Sequence, residues 1–264
     1  MNICLFEPDE IERPLSFDDE RAAHILNVLH KKEGDSFTAG LLGGKAGTAR
    51  ITKIDEVARC ISFNFTGETD GKPLNPLVMI VGFPRPIQLR RLLRDVAALG
   101  VSELHLTGTE LGEKSYMKSD LAQPEAARGL LREGTVQAGS THVPKVFVHK
   151  TLSETLQHMG ALRQAQGPQG TVVPEPVEGP QLICLDNVNP VCALGQVQFS
   201  KEEPVIAAIG SERGWTDRER KLLEEAGFIR CGMGERIMRT ETAVTVAGAI
   251  ILNGMGRLSG QARQ

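Results

Sequence analysis

After residue 76 the chain alternates short apolar segments with longer amphipathic ones. The apolar segments have the length of strands, and they read LVMIVGF, VSELHLTG, KVFVHK, QLICLDN, PVIAAIG and FIRCGM. The amphipathic segments carry apolar residues at helical spacing, and they read IQLRRLLRDVAALG, PEAARGLLREGTVQAG, LSETLQHMGAL, TDRERKLLEEAG and TAVTVAGAIILNGM. Apolar strands that alternate with helices predict an α/β fold, in which helices cover both faces of a parallel sheet.

The first 70 residues have a different pattern. A glycine-rich stretch, GLLGGKAG, precedes the segment ITKIDEVARCISFNF, whose β-branched and aromatic residues suit half-buried strands. The segment DDERAAHILNVLHKKEGD before them has helical spacing and predicts one helix. We therefore predict a small β-barrel-like domain over residues 1–70 and a second domain over residues 76–264. The proline- and glycine-containing segment DGKPLNP, Asp70 to Pro76, is the predicted linker.

One segment of the second domain lacks any helical or strand period. It runs from Arg163 to Gln181 and reads RQAQGPQGTVVPEPVEGPQ, with four prolines and three glycines. This composition predicts a surface insertion at residues 163–181 without a core of its own.

Composition narrows the class of protein. Hydrophobic residues make up 41% and charged residues 24% of the chain, and no apolar run has the length of a membrane span. The first ten residues turn acidic at once, unlike a secretory signal, so we expect a cytoplasmic protein without membrane contact. Five scattered cysteines include no C-x-x-C pair, and no metal is predicted. A net charge of −3 argues against coating nucleic acid by bulk positive charge, but it is compatible with a local basic cleft.

Two strand ends carry candidate chemistry. The first is VIAAIGSERGWTDRE, in which Gly210 and Gly214 let the backbone approach a ligand closely. Glu212 between them is able to accept from a ribose hydroxyl or to hold a loop amide. Thr216 and Glu219 have the spacing of a capping box, which predicts the start of a helix. The alternative interpretation is that this loop is an ordinary strand-to-helix turn without a ligand.

The second strand end is GMGERIMRTETA, Gly232 to Ala243, which leads into an apolar final helix. It contains neither a G-x-G-x-x-G fingerprint nor a P-loop lysine, so the usual dinucleotide and NTPase signatures are missing. Arg236, Arg239 and Glu241 fit either a site or a solvated charged turn. Because ligand loops of parallel sheets lie at the carboxyl ends of strands, the pattern predicts a small-molecule site between two adjacent strand ends.

These segments resemble the signature of the 16S rRNA (uracil-N3)-methyltransferase family of the SPOUT superfamily. Members typically show IGPEGG in the first loop and LG-x-RILR-x-ETA before the last helix. The chain has GERIMRTETA at the second position, with Met238 in place of leucine. HILNVLHKKEGD, LRDVAALGVSELHL and VQAGSTHVP are similar to further family segments, so the resemblance covers most of the chain.

The resemblance implies a PUA-like β-barrel, a methyltransferase domain with a deep C-terminal trefoil knot, and a homodimer. It implies S-adenosylmethionine as cofactor and 16S ribosomal RNA, or the small ribosomal subunit, as partner. The implied cofactor-binding residues lie in two loops and at one further strand end, and they are Leu185, Ile209, Gly210, Glu212, Gly214, Met233, Gly234, Ile237, Met238, Arg239, Thr240, Thr242 and Ala243.

Methylation of uracil N3 requires loss of a weakly acidic N–H and stabilisation of the resulting anion. An arginine suits this task because its planar guanidinium matches the delocalised charge on the ring oxygens. Arg236 is the first candidate and Arg239 the second, while Glu241 is a candidate for orienting an arginine or acting as the base. A structural role of Glu241 at the helix start is an equal alternative.

Candidate RNA-binding residues lie on two predicted helices. Arg90 and Arg94 share a helix face at i,i+4 spacing, and with Arg85 they predict a phosphate-binding stripe. A solvated helix face with intrachain partners is the alternative. Arg21 and His24 on the N-terminal helix are further candidates for the same role.

The chain also departs from the family pattern. In the first loop Ser211 stands in place of proline and Arg213 in place of glycine. Elsewhere, polar family positions carry other residues, which are Asp95, Ala98, Val136 and Ser140. The main prediction is therefore an S-adenosylmethionine-dependent RNA methyltransferase, with uridine N3 of 16S rRNA as the target. The alternative is a catalytically silent or retargeted RNA-binding paralogue with the same fold.

Overall fold

The computed structural model describes residues 2–160 and 179–258. The chain divides into two compact units. The first contains residues 1–74 and 132–143, and the second contains residues 75–131 and 144–264. The insertion predicted at residues 163–181 falls mostly outside the described residues.

The first unit contains a curled sheet that forms a β half-barrel. Within the described residues its strand order is β1-β3-β4-β5-β2, with β1 parallel to β3 and the other neighbours antiparallel. The strands are β1 (Cys4–Phe6), β2 (Leu15–Ser16), β3 (Ser36–Leu41), β4 (Ala46–Asp55) and β5 (Cys60–Thr69).

Buried and more exposed side chains alternate along these strands, and the buried ones form the core of the first unit. Phe37, Ile51, Ile61 and Phe63 all point into one buried cluster, where the Phe63 ring lies 5.0 Å from that of Phe6. Their neighbours along the strands are more exposed, as period-2 patterning requires. The predicted small β-domain is thus confirmed, while β1 and β2 are too short to be visible as periodic patterns.

The N-terminal helix is shorter than predicted. It consists of α1 (Glu20–Ala23), capped by Asp19, and a π-helical turn at His24–Val28. The segment after Leu29 is not helical, because the Gly34 amide already bonds to the Ile51 carbonyl of β4. Sheet pairing therefore ends the helix one and a half turns before the glycine that predicted its end.

The second unit is built on a parallel sheet. Within the described residues this sheet has the order β10-β12-β9-β11-β6-β7-β8, and every recorded pairing in it is parallel. The strands are β6 (Asn75–Gly82), β7 (Val101–Thr107), β8 (Lys145–His149), β9 (Gln181–Leu185), β10 (Cys192–Ala193), β11 (Val205–Ile209) and β12 (Ile229–Gly232). The helices that begin in this unit are α2 (Pro86–Ala98), α3 (Pro124–Ala138), α4 (Leu152–His158), α5 (Asp217–Glu225) and α6 (Thr240–Gly254). From Arg132 onward, α3 belongs to the first unit.

Helices cover both faces of this sheet. On one face Ile80 of β6 joins a buried cluster with Leu152 of α4 and Leu223 of α5. On the other face Met79 lies against α6 at Gly248, where a Cβ would come within 2.9 Å of the methionine side chain. The predicted α/β fold with a parallel sheet is confirmed, and the trefoil knot stays a prediction.

A cluster of histidines lies between β7, β8 and α4. The His105 ring is 1% exposed and its Nδ1 lies 3.0 Å from His149 Nε2. The ring stacks on Phe147 at a centroid distance of 4.8 Å, and His158 approaches edge-on. Burial, followed by the positive charge of a protonated His149, lowers the pKa of His105 to about 4. His105 is therefore packed and neutral near pH 7.

We expect the stability of the second unit to fall as the pH drops through the range of free histidine. In the unfolded chain His105 titrates near 6.5, whereas in the folded protein it stays neutral until about pH 4. Below pH 6.5 the unfolded state binds the extra proton, so the free energy of unfolding decreases by about 1.4 kcal/mol between pH 8 and pH 5.5. Urea unfolding followed by fluorescence of Trp215, the single tryptophan, measures this loss.

The control for this prediction is His105→Phe, which keeps a ring against Phe147. This variant should lose about 1.4 kcal/mol less than wild type over the same pH interval. An equal loss in both proteins would assign the pH dependence to other groups.

Candidate active site

A cavity of about 370 Å³ opens at the carboxyl ends of β9, β11 and β12, three neighbouring strands of the parallel sheet. Parallel sheets bind ligands at this edge. The cavity is lined by the loop that follows each of the three strands, by one residue of α5 and by the first turn of α6. Its lining consists of Leu185, Asp186, Asn187, Val188, Ile209, Gly210, Ser211, Glu212, Arg213, Gly214, Arg220, Cys231, Met233, Arg236, Ile237, Met238, Thr240 and Ala243.

The loop after β11 is a tight turn. The Gly214 amide donates to the Ser211 carbonyl at 2.8 Å, and Gly214 has a φ of +73°. A Cβ on Gly210 would lie 2.9 Å from the Gly214 backbone, so the turn closes only with glycine at that position. Glycine at position 210 is therefore required by the turn itself, while the predicted close approach of a ligand to Gly210 and Gly214 stays a prediction.

Residues on either side anchor this loop. Trp215 is 1% exposed and packs in the core beneath it. Thr216 and Glu219 form the predicted capping box, which confirms that α5 starts at this point. On the opposite side, β6 ends at Gly82, where a Cβ would lie 2.3 Å from the Ser211 amide nitrogen. The turn is thus held between a buried indole and the end of a neighbouring strand.

The loop after β12 carries the candidate catalytic residues. Arg236 is exposed and lines the cavity, and Ile237 beside it is 86% exposed. Arg239 is exposed and lies at the position before the first residue of α6. Glu241 is 8% exposed in the first turn of α6, where the helix dipole favours a carboxylate. Of the three candidate catalytic residues, Arg236 is therefore the one that lines the cavity.

Most of the predicted cofactor-binding residues come together in this one cavity. Gly234, Arg239 and Thr242 belong to the same loop and helix start but do not line the cavity. The others do line it, and they are Leu185, Ile209, Gly210, Glu212, Gly214, Met233, Ile237, Met238, Thr240 and Ala243. Two segments some 25 residues apart in sequence thus line one cavity. The expectation that their strands are adjacent was wrong, because β9 lies between β11 and β12 and pairs with both.

The cavity wall contains an ion pair that no local sequence pattern predicts. Arg220 Nε donates to Asp186 Oδ2 at 2.5 Å, and the two side chains are 14% and 6% exposed. The hydrogen bond to Asp186 raises the pKa of Arg220, while Asp186 Oδ1 accepts from the Val188 amide. The aspartate at the end of β9 was visible in LICLD, but its arginine lies 34 positions later.

Asp186→Ala should destabilise the second unit by about 3 kcal/mol, because it leaves a largely buried guanidinium without its main partner. Urea unfolding of the variant measures the change. The matched control is Glu225→Ala, which removes the exposed Lys221–Glu225 pair on the same helix and should cost no more than about 0.5 kcal/mol. Equal effects of the two substitutions would show that the buried pair contributes no more to the free energy of unfolding than the exposed pair does.

Two departures from the family pattern have structural partners. The Ser211 hydroxyl lies 3.4 Å from the Gly214 carbonyl inside the turn. Ser140 is 7% exposed, and its hydroxyl donates to the Lys72 carbonyl at 2.9 Å and accepts from the His142 amide. Both serines therefore stabilise loops of this chain.

The predicted RNA-binding residues lie in different settings. Arg90 and Arg94 are on the exposed face of α2, and Arg85 Nε donates to the Tyr116 hydroxyl at 3.2 Å. In the first unit, the Arg21 guanidinium pairs with Glu10 and Asp19 and is 16% exposed. His24 Nε2 is buried, and no hydrogen-bond partner for it lies within residues 2–160 and 179–258. The RNA-binding role of all five residues stays a prediction, and the internal pairs of Arg21 give it no support.

The part of the chain that the structure describes contains no group of three or more metal-ligating side chains. Among the helices that it describes, none is long and apolar enough to span a bilayer.

Two family models match the sequence. The model of an RNA methyltransferase domain matches residues 71–252. The model of an RNA methyltransferase PUA domain matches residues 17–56. Together the two models account for residues in both units.

Known proteins resemble the chain along nearly its whole length. It is 41% identical to the ribosomal RNA small subunit methyltransferase E of Treponema pallidum over 256 residues, which are 96% of this chain and 91% of the relative. It is 28% identical to the ribosomal RNA small subunit methyltransferase E 1 of Borreliella burgdorferi, over 95% and 97% of the two chains.

The fold resembles a solved structure as well. The crystal structure of a ribosomal RNA small subunit methyltransferase E from Neisseria gonorrhoeae, bound to S-adenosylmethionine, matches with a TM-score of 0.72 at 23% identity. The match covers 96% of this chain and 97% of that one, so the shared fold extends over both units.

Proposed function

The chain belongs to the RNA methyltransferase family, and from this membership we propose that it methylates ribosomal RNA with S-adenosylmethionine as methyl donor. The observation that carries the proposal is the convergence of both family-specific loops on one cavity at the ends of β9, β11 and β12. Either loop alone fits an ordinary turn as well as a ligand site, and their meeting at one cavity supports the ligand site.

The residues of the cavity fit this cofactor. Its volume of about 370 Å³ suits a ligand of nucleoside size. Leu185, Ile209 and Met238 offer apolar surface for the adenine, and the Glu212 carboxylate offers an acceptor for the ribose hydroxyls. The glycines of the tight turn let main-chain amides approach the ligand closely. When bound, S-adenosylmethionine supplies an electrophilic methyl group on a sulfonium.

The target in this proposal is N3 of a uridine in 16S rRNA, in line with the small-subunit names of the relatives. The side chains of the loop after β12 serve the nucleophile. Arg236 at the cavity stabilises the anion that forms when N3 loses its proton, with Arg239 as the second candidate. Glu241 orients an arginine or accepts the proton. N3 lies on the Watson–Crick edge, so the base must be unpaired or flipped out to react.

The proposal also covers the compartment, the partner and the oligomeric state of the enzyme. The protein acts in the cytoplasm on the small ribosomal subunit, as a homodimer whose methyltransferase domain carries the trefoil knot. Size-exclusion chromatography with light scattering tests the dimer, for which a mass twice that of one chain is expected.

Mass-spectrometric mapping of ribosomal RNA from a deletion strain tests the reaction. One N3-methyluridine of 16S rRNA should disappear and return when the gene is restored. Loss of a different methylated base would keep the enzyme class and reject the uridine. An unchanged methylation pattern would reject the proposed reaction.

Calorimetry tests the alternative of a silent paralogue. The purified protein should bind S-adenosylhomocysteine, the product of the donor, in the micromolar range. Absence of binding at millimolar ligand would favour an RNA-binding protein that has kept the fold without the reaction.

A further inference from the structure

A second cavity lies at the carboxyl ends of β6, β7 and β8, within the second unit. Its volume is about 610 Å³. The loop after β7, the start of α4 and the first turns of α5 form its walls. Nothing in the proposed methyl transfer uses this cavity, although it opens at the same edge of the sheet as the candidate cofactor cavity.

The inner surface of this cavity is apolar and contains one hydroxyl without a partner. Phe83, Met117, Leu152 and Leu222 contribute the apolar part. Thr109 is only 9% exposed, and no hydrogen-bond partner for its Oγ1 lies within the described residues. A buried hydroxyl that lacks a partner costs free energy, so it favours a ligand that supplies one.

The lining of the cavity contains four cationic side chains and three carboxylates. Lys114, Lys118 and Lys150 are exposed at the rim, and no ion pair joins any of them to another described residue. The three carboxylates of the lining already have partners. Glu113 is exposed and accepts the Ser115 amide at 3.2 Å. Glu110 pairs with Arg218 at 3.1 Å, and Glu219 accepts the amides of Glu110 and Thr216 at 2.9 Å. An anionic ligand therefore meets three free ammonium groups at the opening.

The two cavities are neighbours across the first turns of α5. Arg218 and Leu222 of this helix line the second cavity, and Arg220 lines the cofactor cavity. The connecting loops also lie close together. The pKa of Glu113 is lowered mainly by the Ser115 amide and additionally by the charge of Arg213 in the turn after β11. The two cavities thus lie on either side of one helix at the same edge of the sheet.

We propose that the second cavity binds one nucleotide of the RNA strand that carries the target base. The base lies on the apolar surface and hydrogen-bonds to the Thr109 hydroxyl, while backbone phosphates contact the rim lysines. The lysines come from two separate loops, one after β7 and one after β8, and such a spread suits a passing strand. This inference rests on the proposed RNA methylation.

The first test removes the rim charge. The triple variant Lys114→Ala, Lys118→Ala, Lys150→Ala is compared with wild type for binding of a fluorescent single-stranded RNA containing the target segment. We expect the dissociation constant to rise at least about tenfold. The slope of log affinity against log salt should become shallower by about 2, since each lysine neutralises one phosphate.

A matched control keeps the same change in net charge. Lys145→Ala, Lys201→Ala, Lys221→Ala removes three lysines of the second unit that do not line the cavity. This control should bind RNA within about twofold of wild type, and both triple variants should bind S-adenosylhomocysteine as wild type does. Equal RNA affinities of the two triple variants would overturn the inference.

The second test is Thr109→Val, which keeps the shape of the side chain and removes the hydroxyl. Because Oγ1 has no partner among the described residues, the variant should unfold at the same urea concentration as wild type or a higher one. Its RNA affinity should fall about threefold or more with an unchanged salt slope, and unchanged affinity would contradict the hydrogen bond to the base.

The outcomes separate this inference from the proposed function. If wild type neither binds nor methylates the RNA, the proposed function fails and the inference with it. If wild type methylates the RNA and the rim variant has the same KM and kcat, only the inference fails. Binding of uridine monophosphate that the RNA does not displace would assign the cavity to a free nucleotide and also overturn it.

Discussion

Replacing Arg236 by alanine is expected to reduce methyl transfer about 100- to 1,000-fold, the usual effect of removing a group that stabilises charge in a transition state. The side chain is exposed and lines the cofactor cavity, so its truncation removes little packing. The affinity for S-adenosylhomocysteine should stay within about tenfold, a change of roughly 1.4 kcal/mol. Single-turnover methylation of RNA and calorimetry measure the two effects separately.

Two further variants control this prediction. Arg236→Lys keeps the charge but not the planar fork, and it should recover only a small part of the rate. Arg239→Ala should act more weakly, because Arg239 does not line the cavity. If Arg236→Ala loses cofactor binding and turnover together, Arg236 shapes the pocket and does not assist the reaction.

Adding one methyl group at Gly82 is expected to damage both stability and cofactor binding. In Gly82→Ala the new Cβ would lie 2.3 Å from the Ser211 nitrogen and 2.8 Å from the Gly210 carbonyl carbon. Both atoms belong to the backbone of a turn that is anchored by Trp215, so neither the strand nor the turn moves aside easily. We expect a loss of about 2 kcal/mol in unfolding free energy and at least about tenfold in affinity for S-adenosylhomocysteine.

Gly129→Ala is the matched control for this substitution. Gly129 lies on α3, and a Cβ there would have no heavy atom within 4 Å. The change should stabilise the protein by up to about 1 kcal/mol through helix propensity and leave cofactor binding unchanged. Wild-type binding by Gly82→Ala would mean that the turn after β11 does not have to stay in place to hold the ligand.

Sequence patterns predicted the second unit better than the first. Strands such as LVMIVGF are apolar on both faces because helices cover the sheet twice, and this leaves a continuous signal. In the first unit, β1 and β2 have three and two residues, too few for a period to be visible. The helix after Asp19 was predicted too long, since pairing of Gly34 with β4 is a tertiary effect without a local signal.

In the candidate site, too, the local features were predicted from the sequence and the contacts between distant residues were not. Its two loops were predicted because glycines, a capping box and the GERIMRTETA motif are local features of the sequence. The Asp186–Arg220 pair and the contact between Gly82 and Ser211 were missed, because each joins residues that are far apart in sequence. The cavity at the ends of β6, β7 and β8 was also missed, as its lysines are separated by residues with no shared motif.

The strand order of the parallel sheet has a consequence for synthesis on the ribosome. Strand β6 pairs with β11, and Val81 lies opposite Ile209, about 130 positions later. At ordinary translation rates the edge of β6 that later pairs with β11 stays unpaired for on the order of ten seconds after it is made. Such an edge invites pairing with other chains, and its non-local closure slows folding. Since β9 joins the sheet only through β11 and β12, the walls of the cofactor cavity assemble near the end of translation. A chaperone that shields the unpaired edge of β6 until then should raise the yield of folded protein.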